Sequence, residues 1–304
     1  GTARRSCITP PLQQKGPFSS AENGPFFRSL YFASSAYSGA SAVAGAMAEL
    51  VSLAHSSACS QNIRVMVDGC AAALETVERQ CGRLGMTLRC LTVDRSVFDA
   101  APVTRQYPQE MYYRLLAGCF LPKELDRVLY IDPDILVLNS LRPLWETPLE
   151  GRLFAAASHP GKTGLMNNIN QVRLGTDCKY FNSGVLLIDL NAARAQVRPQ
   201  DIFRYAEEKG KALLLPDQDI LNALYGDRTL ELDDTLWNYD ARNYNTYLLR
   251  SGGVCDMDWV MRNTGILHFC GKSKPWRPGY VRRFGILYKH YIQLTRRTGA
   301  YLGD

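Results

Sequence analysis

The sequence predicts a single α/β domain built on a mixed, mostly parallel sheet flanked by helices. Three observations carry that reading. From residue 29 onward, short β-rich runs alternate with helix-period segments in β-α-β-α-β order, which calls for parallel strands with crossover helices. The most hydrophobic part of the chain, at 127–131 and 135–138, reads as two buried strands. The 304 residues are 46% hydrophobic and 21% charged, enough for a sizeable core and unlike a collagenous, disordered or disulfide-stapled chain.

The elements follow in order. Residues 29–33 read as a buried strand, and 39–55 as a small-residue helix with Val43, Met47, Leu50 and Val51 at helical spacing. A second strand at 63–67 ends in the turn signal Asp68-Gly69. A helix at 71–83 leads to a third strand at 86–93. Pro108 opens a helix predicted over 108–120, with Met111, Leu115 and Leu116 on one face and Leu121-Pro122 ending it. Further strands are expected at 153–157, 184–189 and 266–269. A short helix at 217–225 takes Asp217 as its N-cap and Gly226 as its stop. Residues 1–28 form a poorly ordered N-terminal extension, 29–275 the catalytic domain, and 276–304 a basic aromatic C-terminal segment.

Composition narrows the partners. Lys and Arg number 35 against 29 acids, a net charge of +6 that permits a phosphorylated ligand or a membrane surface and demands neither. No nucleic acid is expected as a partner. The nine cysteines are odd in number and form no CxxC, so neither a disulfide framework nor a zinc ribbon fits, and a reducing compartment is expected. No stretch reaches the roughly 18 apolar residues of a membrane span, and residues 1–25 lack the apolar core of a secretory leader.

Four segments carry chemistry. Asp132-Pro133-Asp134 interrupts the two most hydrophobic runs, and carboxylates there need a compensating cation. On a strand-like backbone residues i and i+2 point the same way, so both can reach one divalent ion. In the run 265–276, His268 ends an apolar strand before Gly271, Lys272 and Lys274. An imidazole beside carboxylates suits manganese, glycine allows close backbone approach, and lysine supplies a point charge to a phosphate. Five residues rather than four separate Gly265 from Gly271, which rejects a Walker A loop. The third segment, 180–189, is an Asn-Ser-Gly turn entering a buried strand, and the fourth, 215–222, clusters Asp217, Gln218 and Asp219 at a helix start.

In this order and spacing, LYIDPDILVL, YFNSGVLLIDL, LPDQDILN and LHFCGKSKPW resemble glycosyltransferase family 8, the family of bacterial lipopolysaccharide galactosyl- and glucosyltransferases and of glycogenin. The resemblance runs from about Ser29 to Trp276. It implies a GT-A (Rossmann-like) fold, a nucleotide-sugar donor, Mn2+ with Mg2+ as the alternative, and retention of anomeric configuration. It implies that Asp132, Asp134 and His268 hold the metal, and that Gly271 and Lys274 meet the diphosphate. Arg114 matches a donor-contacting arginine, Asn182, Asp217 and Gln218 match residues around the donor sugar, and Tyr37 matches an aromatic near the base. Where the family carries acidic or amide groups after its first strand, this chain has Ser34-Ser35, whose hydroxyls can still hydrogen-bond a pyrimidine edge.

The implied reaction moves a hexose from UDP-galactose or UDP-glucose to a glycan or lipid-linked acceptor. The position facing the sugar is Gln218, and an amide is a poor nucleophile, so same-face attack is favoured over a covalent intermediate. Gln218 would then support the cation-like sugar and Asp217 orient its hydroxyls. The serines at 34 and 35 keep two alternatives open: a nucleotide-sugar-binding protein with little or no transferase activity, and a metal-dependent nucleotide-sugar hydrolase. From Lys272 on, eight basic residues face Asp304 alone, and Tyr280, Phe284 and Tyr288 fall every fourth residue, the pattern of one helix face beginning near Tyr280. That segment suits an anionic membrane surface, or packs its aromatics on the domain with its charges solvated. The expected location is the cytoplasm, at the inner face of the membrane.

Overall fold

The computed structural model of the chain describes residues 30–33, 52, 62–66, 75, 78, 79, 81–84, 86–91, 93–103, 109–158 and 165–297. Their ten strands form two sheets. β1 (Leu30–Ala33), β2 (Asn62–Met66), β3 (Thr87–Leu91), β4 (Arg127–Ile131), β6 (Phe154–Ala157), β7 (Val185–Asp189) and β8 (Thr229–Leu232) make a seven-stranded sheet in the order β3-β2-β1-β4-β7-β6-β8. β5 (Ile135–Val137), β9 (Tyr239–Asp240) and β10 (Ile266–His268) make a smaller one, ordered β5-β10-β9. In the large sheet β7 runs antiparallel to both its neighbours, β4 and β6. The other four pairings are parallel, which gives the mixed, mostly parallel sheet of the prediction.

Strands β4, β6 and β7 of the large sheet are buried on both faces, as their runs of Val, Ile, Leu and Ala require. Side chains alternate across the pleat, so Val128 and Tyr130 of β4 point one way and Leu129 and Ile131 the other. The first pair packs with Phe154, Ile188, Ile202 and Leu221, under helices Pro199–Lys209 and Pro216–Tyr225. The second packs with Val185, Leu187, Leu141 and Leu144. A third cluster wraps the small sheet with Tyr239, Phe269, Tyr280, Phe284 and Tyr288.

Three expectations change. The segment 108–120 is not one helix: Gln109–Tyr112 is a 3-10 turn and only Ala117–Phe120 is α-helical. Tyr112, Tyr113, Leu115 and Leu116 are all buried, which one face of a regular helix cannot accomplish, and the break turns Arg114 toward the strand ends. Asp217 does not cap its helix. Pro216 is the first helical residue and Leu215 the cap position, with no side-chain cap bond, while Asp217 is engaged elsewhere. The C-terminal helix begins at Gly285 rather than near Tyr280. Gly226 does end its helix, with a right-handed φ of −59°, and close packing explains the glycine: a Cβ there would stand 3.2 Å from that of Cys178. The expected helix at 39–55, apart from Ser52, lies outside the described residues, as does the N-terminal extension.

Candidate active site

β4 and β5 are joined by the turn Asp132-Pro133-Asp134, so the two acids sit in a turn rather than on a strand. β10 pairs antiparallel with β5 and sets His268 opposite Ile135, directly beside Asp134. One ligand atom each from Asp132, Asp134 and His268 lies within 4.8 Å of the others. His268 Nε2 is 3.2 Å from Asp134 Oδ1, and both side chains are buried.

The electrostatics are those of a site built for cations. Burial by itself disfavours charge on Asp134, but His268 and Lys274 beside it outweigh that and hold its carboxyl well below the usual range. Burial likewise opposes a charged His268, and Cys270 and Asp134 reverse the balance, raising the imidazole above its ordinary value. Lys274 reaches Asp134 Oδ2 directly and also donates to the Phe269 carbonyl at 3.0 Å. Two carboxylates and an imidazole in reach of one point are a donor set for a divalent ion with manganese-like preferences. Gly184 supports that fit: a Cβ there would stand 2.4 Å from His268 Cε1 and 2.8 Å from Asp132 Oδ2, so only glycine leaves the cluster its room.

The donor-side residues of the sequence reading come together around this centre. Arg114 Nη1 is 3.0 Å from Asp132 Oδ1, 3.1 Å from Asp217 Oδ2 and 3.2 Å from the Ser183 carbonyl, with its guanidinium over the Tyr130 ring. Ser183 Oγ donates to Asp217 Oδ2 at 2.8 Å, and Asn182 Nδ2 donates to Gln218 Oε1 at 3.1 Å. The segments 180–189 and 215–222 therefore form one unit. Asn222 ties them further: its side chain accepts from Phe181 N at 2.6 Å and donates to Phe181 O at 2.8 Å. Gly271 adopts φ +88° and packs on Arg242, whose Nη1 would lie 2.7 Å from any Cβ at that position. Ser34 and Tyr37 lie outside the described residues.

Several participants were not singled out from sequence, and Asp219 was noted only as a member of the helix-start cluster. Tyr130 donates to Asp132 Oδ1 at 2.6 Å. Asn238 Oδ1 stands 2.8 Å from His268 Nδ1. Asp219, fully buried, accepts two hydrogen bonds from Arg173 at 2.6 and 2.7 Å, one from Tyr180 at 2.5 Å and one from Leu214 N at 2.7 Å. Arg242 is held by the buried Asp240, Nη2 to Oδ2 at 2.7 Å. The glycine of Asn-Ser-Gly was visible as a motif; a lone Asn after Trp237 or an Arg on a short helix carries no periodic or spacing signal.

Comparison with known proteins agrees with the geometry. The sequence model for glycosyl transferase family 8 matches residues 41–278. General stress protein A of Bacillus subtilis is 29% identical over 221 residues, covering 70% of this chain and 75% of that protein. A lipopolysaccharide 1,2-glucosyltransferase of Escherichia coli K12 is 27% identical over 202 residues, covering 64% of this chain and 56% of its own length. The crystal structure of the galactosyltransferase LgtC in complex with donor and acceptor sugar analogues superposes with a TM-score of 0.70 at 23% identity, over 89% of this chain and 99% of that one. An active-site mutant of LgtC gives 0.71. The chain belongs to glycosyl transferase family 8 and is a glycosyltransferase of the GT-A fold.

Proposed function

We propose that the chain transfers a hexose, galactose or glucose, from a UDP-sugar to a glycan acceptor with retention, using Mn2+ held by Asp132, Asp134 and His268. The observation that carries this reading is the convergence of those three ligand atoms within 4.8 Å beside Arg114, Asp217, Gln218 and Lys274. The relatives named for lipopolysaccharide glucosyl transfer and the LgtC complex support the hexose and the glycan. A bound ion supplies Lewis-acid stabilisation of the diphosphate as negative charge develops on it. The protein's own groups do the rest. Lys274, carried by the loop after β10, neutralises the leaving diphosphate, and the left-handed Gly271 brings backbone N–H groups close to it. Arg114, anchored on Asp132 and Asp217, links the metal side of the site to the sugar side. Asp217 keeps one carboxylate oxygen for sugar hydroxyls.

The test is UDP release. Release from UDP-galactose or UDP-glucose that needs both Mn2+ and a saccharide acceptor is the expected result. Release without any acceptor would identify a hydrolase, and Mn2+-dependent binding without release a nucleotide-sugar-binding protein.

The same reading places the enzyme against an anionic membrane. No helix among the described residues is long and apolar enough to cross one. Tyr280, Phe284 and Tyr288 are buried against the small sheet, so the aromatic face packs on the domain. What remains outward is Val281, 92% exposed, and Ile286, 79% exposed, among Arg282, Arg283 and Lys289. Each basic residue near an anionic surface adds about 1 kcal/mol, and the two apolar side chains can enter the headgroup layer. Co-sedimentation with phosphatidylglycerol vesicles should be released by salt and lost in Arg282→Glu/Lys289→Glu. Binding unchanged by both would remove the membrane from the picture. Charge reversal is the right variant, because truncation would strip three buried aromatics from the core.

A further inference from the structure

A chain of side-chain amides runs from the candidate metal centre to the candidate sugar site, and its polarity can be assigned without ambiguity. It starts from a backbone group. The Gly184 N–H, which can only donate, lies 2.9 Å from Asn182 and therefore faces Oδ1. The Asn182 Nδ2 group then points the other way, to Gln218 Oε1 at 3.1 Å. Asn182 Oδ1 accepts a second bond, from Asn238 Nδ2 at 2.8 Å. That turns Asn238 Oδ1 toward His268, 2.8 Å from Nδ1. An amide oxygen only accepts, so His268 carries a proton on Nδ1 and presents Nε2 to the Asp132–Asp134 side.

The other end of the chain has an equally definite outcome. Gln218 spends its carbonyl oxygen on Asn182, and no group among the described residues takes its Nε2 protons. Gln218 sits in the first turn of helix Pro216–Tyr225, between Asp217, which meets Arg114, and Asp219, which is locked by Arg173. Of these three side chains, the Gln218 amide NH2 is the unspent donor.

We infer that Asn238 is a positioning residue that fixes the His268 end of this network and shares with the Gly184 N–H the orientation of Asn182. It holds His268 with Nε2 toward the metal, and its NH2 reinforces the Gly184 N–H on Asn182 Oδ1, so that Asn182 engages the Gln218 carbonyl and leaves the Gln218 NH2 for the donor sugar. Gln218 then acts as a hydrogen-bond donor to a sugar or acceptor oxygen. This rests on the glycosyl-transfer reading above.

Two substitutions separate the halves of the inference. Asn238→Leu is close in volume and removes both bonds. Losing the partner of a metal-ligating histidine costs about 10–100-fold in metal affinity, and that loss is expected in a titration of free Mn2+ by electron paramagnetic resonance. Asn238→Asp keeps an acceptor for His268 Nδ1 but cannot donate to Asn182 Oδ1. It should bind Mn2+ at least as tightly as the wild type, while turnover falls more than about tenfold at little-changed KM for the donor, because a carboxylate set against Asn182 Oδ1 works against the orientation that the Gly184 N–H gives Asn182 and so displaces Gln218. Circular dichroism and melting temperature confirm that both variants fold. Wild-type Mn2+ affinity in a folded Asn238→Leu would overturn the assignment of Asn238. Full turnover in Asn238→Asp would overturn the part assigned to Asn238 in orienting Asn182. A wild-type protein that binds no Mn2+ at all would overturn the glycosyl-transfer reading itself and this inference with it, an outcome distinct from either.

Discussion

Gly184→Ala should yield a folded protein that no longer binds Mn2+ at the proposed Asp132–Asp134–His268 site. Gly184 has no positive φ, so alanine can adopt its backbone conformation, and the whole effect comes from one added methyl group. That methyl would meet His268 Cε1 at 2.4 Å, Asp132 Oδ2 at 2.8 Å and Asn182 Oδ1 at 3.0 Å. None of the three can give way alone. His268 is hydrogen-bonded to Asn238, Asp132 to Tyr130 and Arg114, and Asn182 to Gly184, Asn238 and Gln218. Overpacking of this kind costs about 1–3 kcal/mol of stability, which a domain of this size tolerates. Displacing a reacting geometry by an ångström costs about 10²-fold in rate. The expected result is a modest fall in melting temperature, no stabilisation by Mn2+ up to millimolar concentration, and turnover reduced about 10²-fold. Thermal melts with and without Mn2+ check it, and a variant that Mn2+ stabilises like the wild type would show that the cluster is not the metal site.

Asp219→Ala should be the most destabilising single change near the site. The carboxylate is fully buried and holds Arg173, Tyr180 and Leu214 N at once, joining helix Leu165–Leu174 to the start of Pro216–Tyr225. Removing one partner of a buried ion pair leaves the other uncompensated, at a cost of about 3–5 kcal/mol. Burial raises the Asp219 pKa, but the Arg173, Tyr180 and Leu214 bonds outweigh it, and the carboxyl stands below its ordinary 3.8. A depressed folded-state value fixes the sign: the contribution is fully present above pH 3.8 and is lost as the pH falls through the folded value. The stability difference between wild type and Asp219→Ala, measured by urea unfolding, should therefore be constant from about pH 5 to 8 and shrink in stronger acid. A difference that grew in acid would contradict the pairing.

The segments that the sequence made legible are those where chemistry and secondary structure share a few consecutive residues. β4 came out to the residue because Val128–Ile131 is an unbroken apolar run between Arg127 and Asp132. Asp132, Asp134 and His268 stood out because carboxylates and an imidazole at the ends of buried strands call for an explanation. Residues that reach the site from elsewhere were not legible in this way. Asn238 follows a four-residue helix, Asp234–Trp237, and precedes a two-residue strand, elements too short for either period to register. Arg173 lies on a helix whose neighbours give no reason to single it out, and its partner Asp219 showed in sequence only as one polar residue of a helix-start cluster. The segment 108–120 misled for a related reason: its apolar spacing is helical, but Tyr112 and Tyr113 are both core residues, and satisfying both breaks the helix.

The pairing of β10 between β5 and β9 also bears on how the enzyme comes into being. β5 directly follows the Asp132–Asp134 turn, yet the strand that completes its sheet and delivers His268 is separated from it by residues 138–265. Contacts between segments so far apart in the chain form late, after loop closure has been overcome. On the ribosome, synthesis proceeds from the N-terminus, so the two aspartates emerge long before their histidine and Lys274. The nascent chain thus carries two of the three candidate metal ligands well before the third is made. On the proposed reading the cluster is complete only once β10 has paired with β5, so the candidate site depends on one of the longest-range contacts in the chain.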